Sequence, residues 1–322
     1  MPDPKPRPPA ELPSATVILC SRNGADRLEP AFASIEAAAE GLPQIDVVLV
    51  DSASEDGSRA RFEAYRDRAP RRVAIRAAER PGLGRARNLG IRAALGEWLF
   101  FLDDDGRYAP DYFARFVRLL RRGEPFDFGG GEIWPAEEGL DPRVATLRLR
   151  RTEYARPGAM FAAGWLQGAN LFFHRRVFEV AGPFNPHLGA GGPFAFEDVE
   201  MCSRASAHGF QAVRARGLTV LHDHGRRAGS EAAERTVESY DLGRGAYKAH
   251  LLANGRLDGL HLFAQDPKGP KGRARRRREL LGAARYLEAA ADAPEIYRAT
   301  PYPPAEDAEQ SAIRKDGCGF PD

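Results

Sequence analysis

The chain has 322 residues, 43% of them hydrophobic, which is enough apolar material for one large or two modest domains. Its 47 basic and 45 acidic side chains leave a net charge of +2, a balance that demands no nucleic-acid partner. The three cysteines, Cys20, Cys202 and Cys318, are far apart, form no CxxC pair and read as reduced thiols in a cytoplasmic protein; no stretch approaches the roughly 18 apolar residues of a membrane span.

Residues 1–13, MPDPKPRPPAELP, lack the apolar core of a signal peptide, and their prolines predict a loose, disordered tail. Thr16–Cys20 is a short β-rich run with a turn at Asn23-Gly24, and Phe32 and Ile35 begin a helical face. Ile45–Val50 is a second buried strand ending at Asp51. The turn SASEDGS then leads into a helix carrying Phe62 and Tyr65, followed by a strand at Val73–Ile75. Leu83–Leu95 reads as a helix stopped at Leu95-Gly96, and Trp98–Leu102 as a fourth strand. Pro110 opens a helix with Phe113, Phe116, Val117 and Leu120 on one face. Strand and helix alternate throughout this half, which predicts a parallel sheet with right-handed crossovers.

The second half is less regular. Phe126–Gly131 and Ala169–Phe173 are short apolar runs, 189–192 looks like a mobile loop, and Glu197-Asp198 open a helix that Gly209 ends. Leu218–Leu221 is a strand running into His222-Asp223-His224. After Leu251 the pattern weakens: 266–278 is basic and rich in helix breakers, a helix with Leu280, Leu281, Tyr286 and Leu287 follows, and residues from Thr300 form a proline-rich, acidic tail.

The most telling stretch is Trp98–Asp105, WLFFLDDD. An apolar run this short is a buried strand, so three consecutive aspartates stand where it leaves the sheet, the edge at which open α/β sheets bind ligands. Clustered carboxylates there suit a hard divalent cation shared with substrate phosphates, although a solvated acidic turn has the same sequence. Asp51, Glu197-Asp198 and His222/His224 stand at other expected strand ends or helix starts.

In order and spacing, the segments TVILCSRNGADRL, IDVVLVDSASEDGS, RPGLGRARNLGIRAALGEWLFFLDDDGRYAPDYF, QGANLFFHRRVFEVAGPFN, AFEDVEMCSRASAHGF and TVLHDHG resemble a family 2 glycosyltransferase, with the nucleotide-sugar-binding fold called GT-A. They cover residues 15–225, about two-thirds of the chain. The resemblance implies an α/β fold with a mostly parallel central sheet flanked by helices and a helical C-terminal extension. Residues 14–250 would be the catalytic domain, with 14–122 binding the nucleotide and 123–250 the acceptor, and 251–322 would be extension and tail.

The same resemblance implies an inverting transfer of a sugar from a UDP- or GDP-sugar to an acceptor hydroxyl, dependent on Mn²⁺ or Mg²⁺. The acceptor would be a saccharide, a lipid-linked or a small molecule, as in polysaccharide or glycoconjugate biosynthesis. Asp103, Asp104 and Asp105 would be the DxD motif. Asp105 would be a direct metal ligand, Asp103 would share the metal or meet the ribose, and Asp104 could exchange with either. His222 would complete the metal site, and only one of His222 and His224 would reach the metal. Asp51 and Ser52 would lie near the base or ribose. Ser52 stands where many relatives carry a second acidic residue, and Arg22 where an aromatic is common. Arg85 would approach the diphosphate, with Arg80, Arg87, Arg92 and Asn88 close by. Asp198 would be the base that takes the acceptor proton and Glu197 would orient the acceptor, roles compatible with capping a helix. Trp165 and Gln167 would line the acceptor pocket, unless Trp165 packs in the core.

Two other readings stay open from sequence. A sugar-phosphate nucleotidyltransferase would release pyrophosphate, and a non-catalytic sugar- or partner-binding module would bind no nucleotide. Arg273, Arg275, Arg276, Arg277 and Arg278 form the densest charge cluster, which can hold a cytoplasmic enzyme against anionic lipid or be a solvated loop. No aromatic interleaving supports RNA binding.

Overall fold

The apolar runs of the first hundred residues become strands buried on both faces, as a sheet covered by crossover helices requires. In this computed structural model, which describes residues 12–256, 269–294 and 302, β1 (Ala15–Ser21), β2 (Ile45–Asp51) and β4 (Trp98–Asp103) pair in parallel, with β3 (Val73–Ala77) beside β2. Alternate side chains face opposite layers. Val17, Leu19, Val47, Leu49 and Phe100 pack on α1 (Leu28–Ala38), α2 (Ser58–Arg68) and α4 (Tyr112–Arg121) through Phe32, Phe62, Tyr65, Phe113 and Phe116. Ile18, Val48, Val50, Leu99 and Phe101 pack on the other side, against α3 (Leu83–Ala93), α5 (Arg176–Ala181) and α6 (Glu197–Ala207). Leu12, which the sequence assigned to the tail, is buried in the first of these layers; residues 1–11 lie outside the described part.

Beyond β4 the sheet changes character. β8 (Leu171–His174) is antiparallel to β4, and β6 (Phe128–Pro135) is antiparallel to β8 and parallel to β9 (Ala212–His222). The short β5 (Gly106–Tyr108) and β7 (Glu153–Ala155) are both antiparallel to β9. The order is β3-β2-β1-β4-β8-β6-β9-β5, with β7 beside β9. The parallel expectation therefore describes the first half, and the sheet as a whole is mixed.

The pairing that matters most for the site is β5 with β9, because its register sets Gly106 opposite His222. The backbone N–H of Asp223 donates to the carbonyl of Asp105 at 2.8 Å. A histidine more than a hundred positions downstream is thereby fixed next to the aspartates.

Two long helices complete the described fold, α7 (Glu231–Ala253) and α8 (Gly269–Asp292). The boundary expected at 250/251 falls inside α7, and the basic segment 266–278 is not one loop: from Gly269 onward it is helix. Pro270 is tolerated there because the first turn needs no amide donor. Close approach of the two helices depends on Gly245, where a Cβ would overlap the backbone of Glu279. Across the seam Lys248 pairs with Glu279 at 2.7 Å and Arg278 with Asp241 at 2.8 Å.

Candidate active site

The carboxyl ends of β1 and β4, the start of α6 and one side of α7 enclose a cleft of about 920 Å³. Asp103, Asp104, Asp105, Glu197, Asp198 and His222 all line it. Residues far apart in sequence thus face a single space.

The three aspartates have three different partners. Asp103, half-buried, meets Arg87 Nη2 at 3.3 Å. Asp104 turns away into the first loop, accepting from Ser21 Oγ at 2.5 Å and from Arg27 Nη2 at 3.0 Å. Asp105 meets His222 Nε2 at 3.0 Å. Burial raises the Asp104 carboxyl pKa against the pull of Ser21 and Arg27. For Asp105 burial acts in the same direction, but the His222 hydrogen bond and charge prevail and hold it below the usual range. Burial lowers the His222 pKa, and Asp105 more than reverses that.

Asp103, Asp105 and His222 place one ligand atom each within 4.8 Å of one another. Two carboxylate oxygens and an imidazole form a donor set suited to Mn²⁺ or a similar ion, and the Nδ1 of His222 is buried with no hydrogen-bond partner. Asp104 is already engaged by Ser21 and Arg27 and stands outside this group. His224 is buried as well, but beyond the end of β9 and outside the triad.

Arg87 joins the two acidic groups. Its side chain is 2% exposed, between the rings of Phe101 and Phe184, at 5.7 and 5.4 Å. One guanidinium nitrogen donates to Glu197 Oε1 at 2.8 Å, and the other to Asp103 and to the carbonyl of Gly168 at 3.1 Å. Gly168 lies close beneath both side chains: a Cβ there would stand 3.0 Å from Arg87 Nη2 and 3.3 Å from Asp198 Oδ2 and press on them.

Asp198 accepts from the Gly168 amide at 2.7 Å and from the Val199 amide, at the start of its own helix, at 2.8 Å. Glu197 is buried and Asp198 half-buried. Burial raises both pKa values. For Glu197 the Asp198 charge adds to the rise, and Arg87 opposes it in each. The pair is aimed by Phe196, which precedes α6 with φ of +89°, a conformation costly for a bulky residue. The Phe196 ring lies parallel to Tyr247 of α7, with centroids 6.4 Å apart, so the C-terminal helices hold the strained residue in place.

The other expected residues divide between the cleft and the surrounding fold. Asp51 Oδ1 accepts from the Ser54 amide at 2.9 Å and closes a turn, while its neighbour Ser52 lines the cleft. Arg85 is absent from the lining, where Arg87 stands instead, and its Nε is buried without a partner. Asn88 bonds the backbone of Phe184 in both directions, at 2.8 and 2.9 Å. Trp165 stacks on Phe161 at 4.5 Å under Arg214, packed off the cleft, whereas Gln167 lines it. Cys20, on the cleft wall, has its thiol pushed up to about 12 by burial, which disfavours the thiolate. Sequence reasoning missed Phe196, Arg27 and the α7 residues Thr236, Ser239, Tyr240 and Arg244, which line the far wall except for Phe196 at its edge and Arg27 by the aspartates. Only Arg27, in the loop after the first strand, carried a visible signal, being a charge beside a turn.

The glycosyl transferase family 2 model matches residues 16–178. The chain belongs to that family. It is 25% identical to glycosyltransferase AglE of Haloferax volcanii over 245 residues, 75% of each chain. To the succinoglycan biosynthesis protein ExoO of Rhizobium meliloti it is 37% identical over 136 residues, 42% of this chain and only 36% of that one. Among solved structures it resembles mannosyltransferase PcManGT from Pyrobaculum calidifontis in complex with GDP-Man and Mn²⁺, with a TM-score of 0.55 and 20% identity, over 97% of this chain and 81% of the other. It also resembles S. aureus TarS 1–349 in complex with UDP-GlcNAc, with a TM-score of 0.53 and 14% identity, over 78% and 73%. The fold is that of the GT-A glycosyltransferases, and the chain is a family 2 glycosyltransferase. Among the described residues no helix is long and apolar enough to cross a membrane.

Proposed function

We propose that this family 2 enzyme transfers a sugar from a nucleoside-diphosphate sugar to an acceptor hydroxyl, with inversion, using a divalent metal at Asp103, Asp105 and His222 and Asp198 as base. The observation that carries this reading is Arg87: one buried guanidinium touches the aspartate of one cluster and the glutamate of the other, so both face one substrate-sized cleft. When bound, a Mn²⁺ or Mg²⁺ ion would stabilise the charge gathering on the leaving diphosphate.

The chain's own residues supply the rest. The Asp198 carboxylate takes the proton as the acceptor oxygen bonds to the anomeric carbon, and the bond from that carbon to the diphosphate oxygen breaks, leaving with its electron pair. A base across the cleft from the leaving group supports a single displacement and hence inversion. Gly168 and Val199 N–H groups hold Asp198 in one orientation, and burial keeps it a stronger proton acceptor than a solvated aspartate. Glu197, fixed by Arg87, orients the acceptor; Ser52 lies on the nucleotide side and Gln167 on the acceptor side. Residues 14–122 would then bind the donor, and the later strands with α7 the acceptor, a saccharide, lipid-linked or small molecule. The nucleotides in the two structural neighbours make GDP-mannose and UDP-N-acetylglucosamine the first donors to try.

The test is a donor panel scored by release of nucleoside diphosphate with Mn²⁺ and with Mg²⁺. Turnover with a nucleotide sugar in the presence of metal supports the reading. Pyrophosphate release would convert it to a nucleotidyltransferase, and failure to bind any nucleotide would leave a non-catalytic module.

A further inference from the structure

We propose that the outward face of α8 docks the protein on an anionic lipid bilayer. The helix buries Gly272, Glu279, Gly282, Tyr286 and Ala290 against the rest of the fold. On its other side Arg273, Arg277, Leu280, Ala284, Leu287 and Ala291 recur at steps of four and three residues, which is one stripe along an α-helix. Leu280, Leu281 and Leu287 are 56, 46 and 49% exposed, half of the six large apolar side chains that the described surface exposes.

The arginines divide by face. Arg275 and Arg278 turn inward to Glu279 and Asp241, at 2.7 and 2.8 Å, and stabilise the helix pair. Arg273 and Arg277 are exposed at the head of the leucine stripe. Of the five arginines in the cluster, Arg275 and Arg278 hold the fold, and Arg273 and Arg277 face outward beside leucines.

A leucine stripe headed by arginines is complementary to the headgroup region of an anionic membrane. The leucines enter the acyl boundary while the guanidinium groups reach the phosphates along their aliphatic stems. One stripe on one helix is narrow for a stable dimer, which needs roughly 800 Å² from each partner. This surface lies outside the catalytic cleft, and the inference does not rest on the proposed chemistry.

The test uses the full chain in co-sedimentation with vesicles of phosphatidylcholine alone or mixed equally with phosphatidylglycerol. Binding is expected to the mixed vesicles and to fall with added salt. Arg273→Gln with Arg277→Gln should weaken it roughly 30-fold, and Leu280→Ser with Leu281→Ser by roughly tenfold or more. The circular dichroism spectrum and the urea midpoint should stay unchanged in both variants, which shows them folded. No binding of the wild type to the mixed vesicles, or equal binding by both variants, overturns the proposal. A dimer in light scattering that the leucine variant abolishes, without vesicle binding, gives the face to a second copy and overturns it too.

Discussion

The two acidic groups that line the cleft are both built from carboxylates and stand in different surroundings. Those after β4 are splayed: one carboxylate goes to Arg87, one to Ser21 and Arg27, and one to His222. Asp105 is held ionised by its imidazole neighbour and can serve as a ligand at neutral pH. Those at the start of α6 are crowded against one arginine in a drier place, so burial raises them and the charged form binds a proton more readily. The difference comes from the backbone. A strand end fans successive side chains outward, whereas the first turn of a helix keeps Glu197, Asp198 and Glu200 together and returns Glu200 inward to Arg204, at 2.7 Å.

The largest effect should come from removing the proposed proton acceptor. Asp198→Asn keeps the shape and should lower kcat by roughly 10²–10⁴ while nucleoside diphosphate still binds with unchanged affinity by titration calorimetry. Unchanged turnover would remove Asp198 from the base role. Next in size is the arginine between the groups. Arg87→Met leaves Glu197 buried and uncompensated, so urea denaturation should show a loss of about 3–5 kcal/mol, and Arg87→Lys a smaller one. A neutral result would mean that Glu197 is protonated in the folded protein. Third is the ligand side. Asp105→Ala should weaken Mn²⁺-dependent binding of nucleoside diphosphate by more than the roughly 10–100-fold typical of a residue that only supports a ligand. Binding without Mn²⁺ should hardly change, and equal loss in both conditions would make Asp105 a nucleotide contact.

The two halves of the molecule were unequally legible. Runs such as IDVVLV and WLFFLD are buried on both faces, so the strands, their parallel pairing and the aspartates at their ends could be read directly. The second half hides its signals. β9 runs from Ala212, but Arg214, Arg216 and Gly217 break its apolar pattern, so only its end was visible. α7 carries Gly243 and Gly245, which local propensity counts against a helix and which close packing requires. Arg87 was one of four nearby arginines. What selects it is the pair of rings around it and the glutamate 110 positions downstream, and neither contact has a local trace. Phe196 is the extreme case, because a left-handed phenylalanine is chosen by the packing of Tyr247 and by nothing in its own neighbourhood.

The smallest effect is a displacement in pH. Asp198 must be ionised to accept a proton, and its folded pKa lies above the ordinary 3.8 because burial disfavours its charge. The rate should therefore fall as pH drops through that raised value, about tenfold per unit below it, and the acid limb of kcat should sit above the range of a solvated aspartate. His222 complicates the same window, since a ligand imidazole must be neutral and its pKa is also raised. The two are separable. A limb set by His222 moves to lower pH as Mn²⁺ is increased, because the ion competes with the proton. A limb set by Asp198 stays in place at saturating metal. A metal-independent limb at the ordinary aspartate value would mean that the α6 carboxylates are solvated during turnover, and the two acidic groups would then be alike in the reaction.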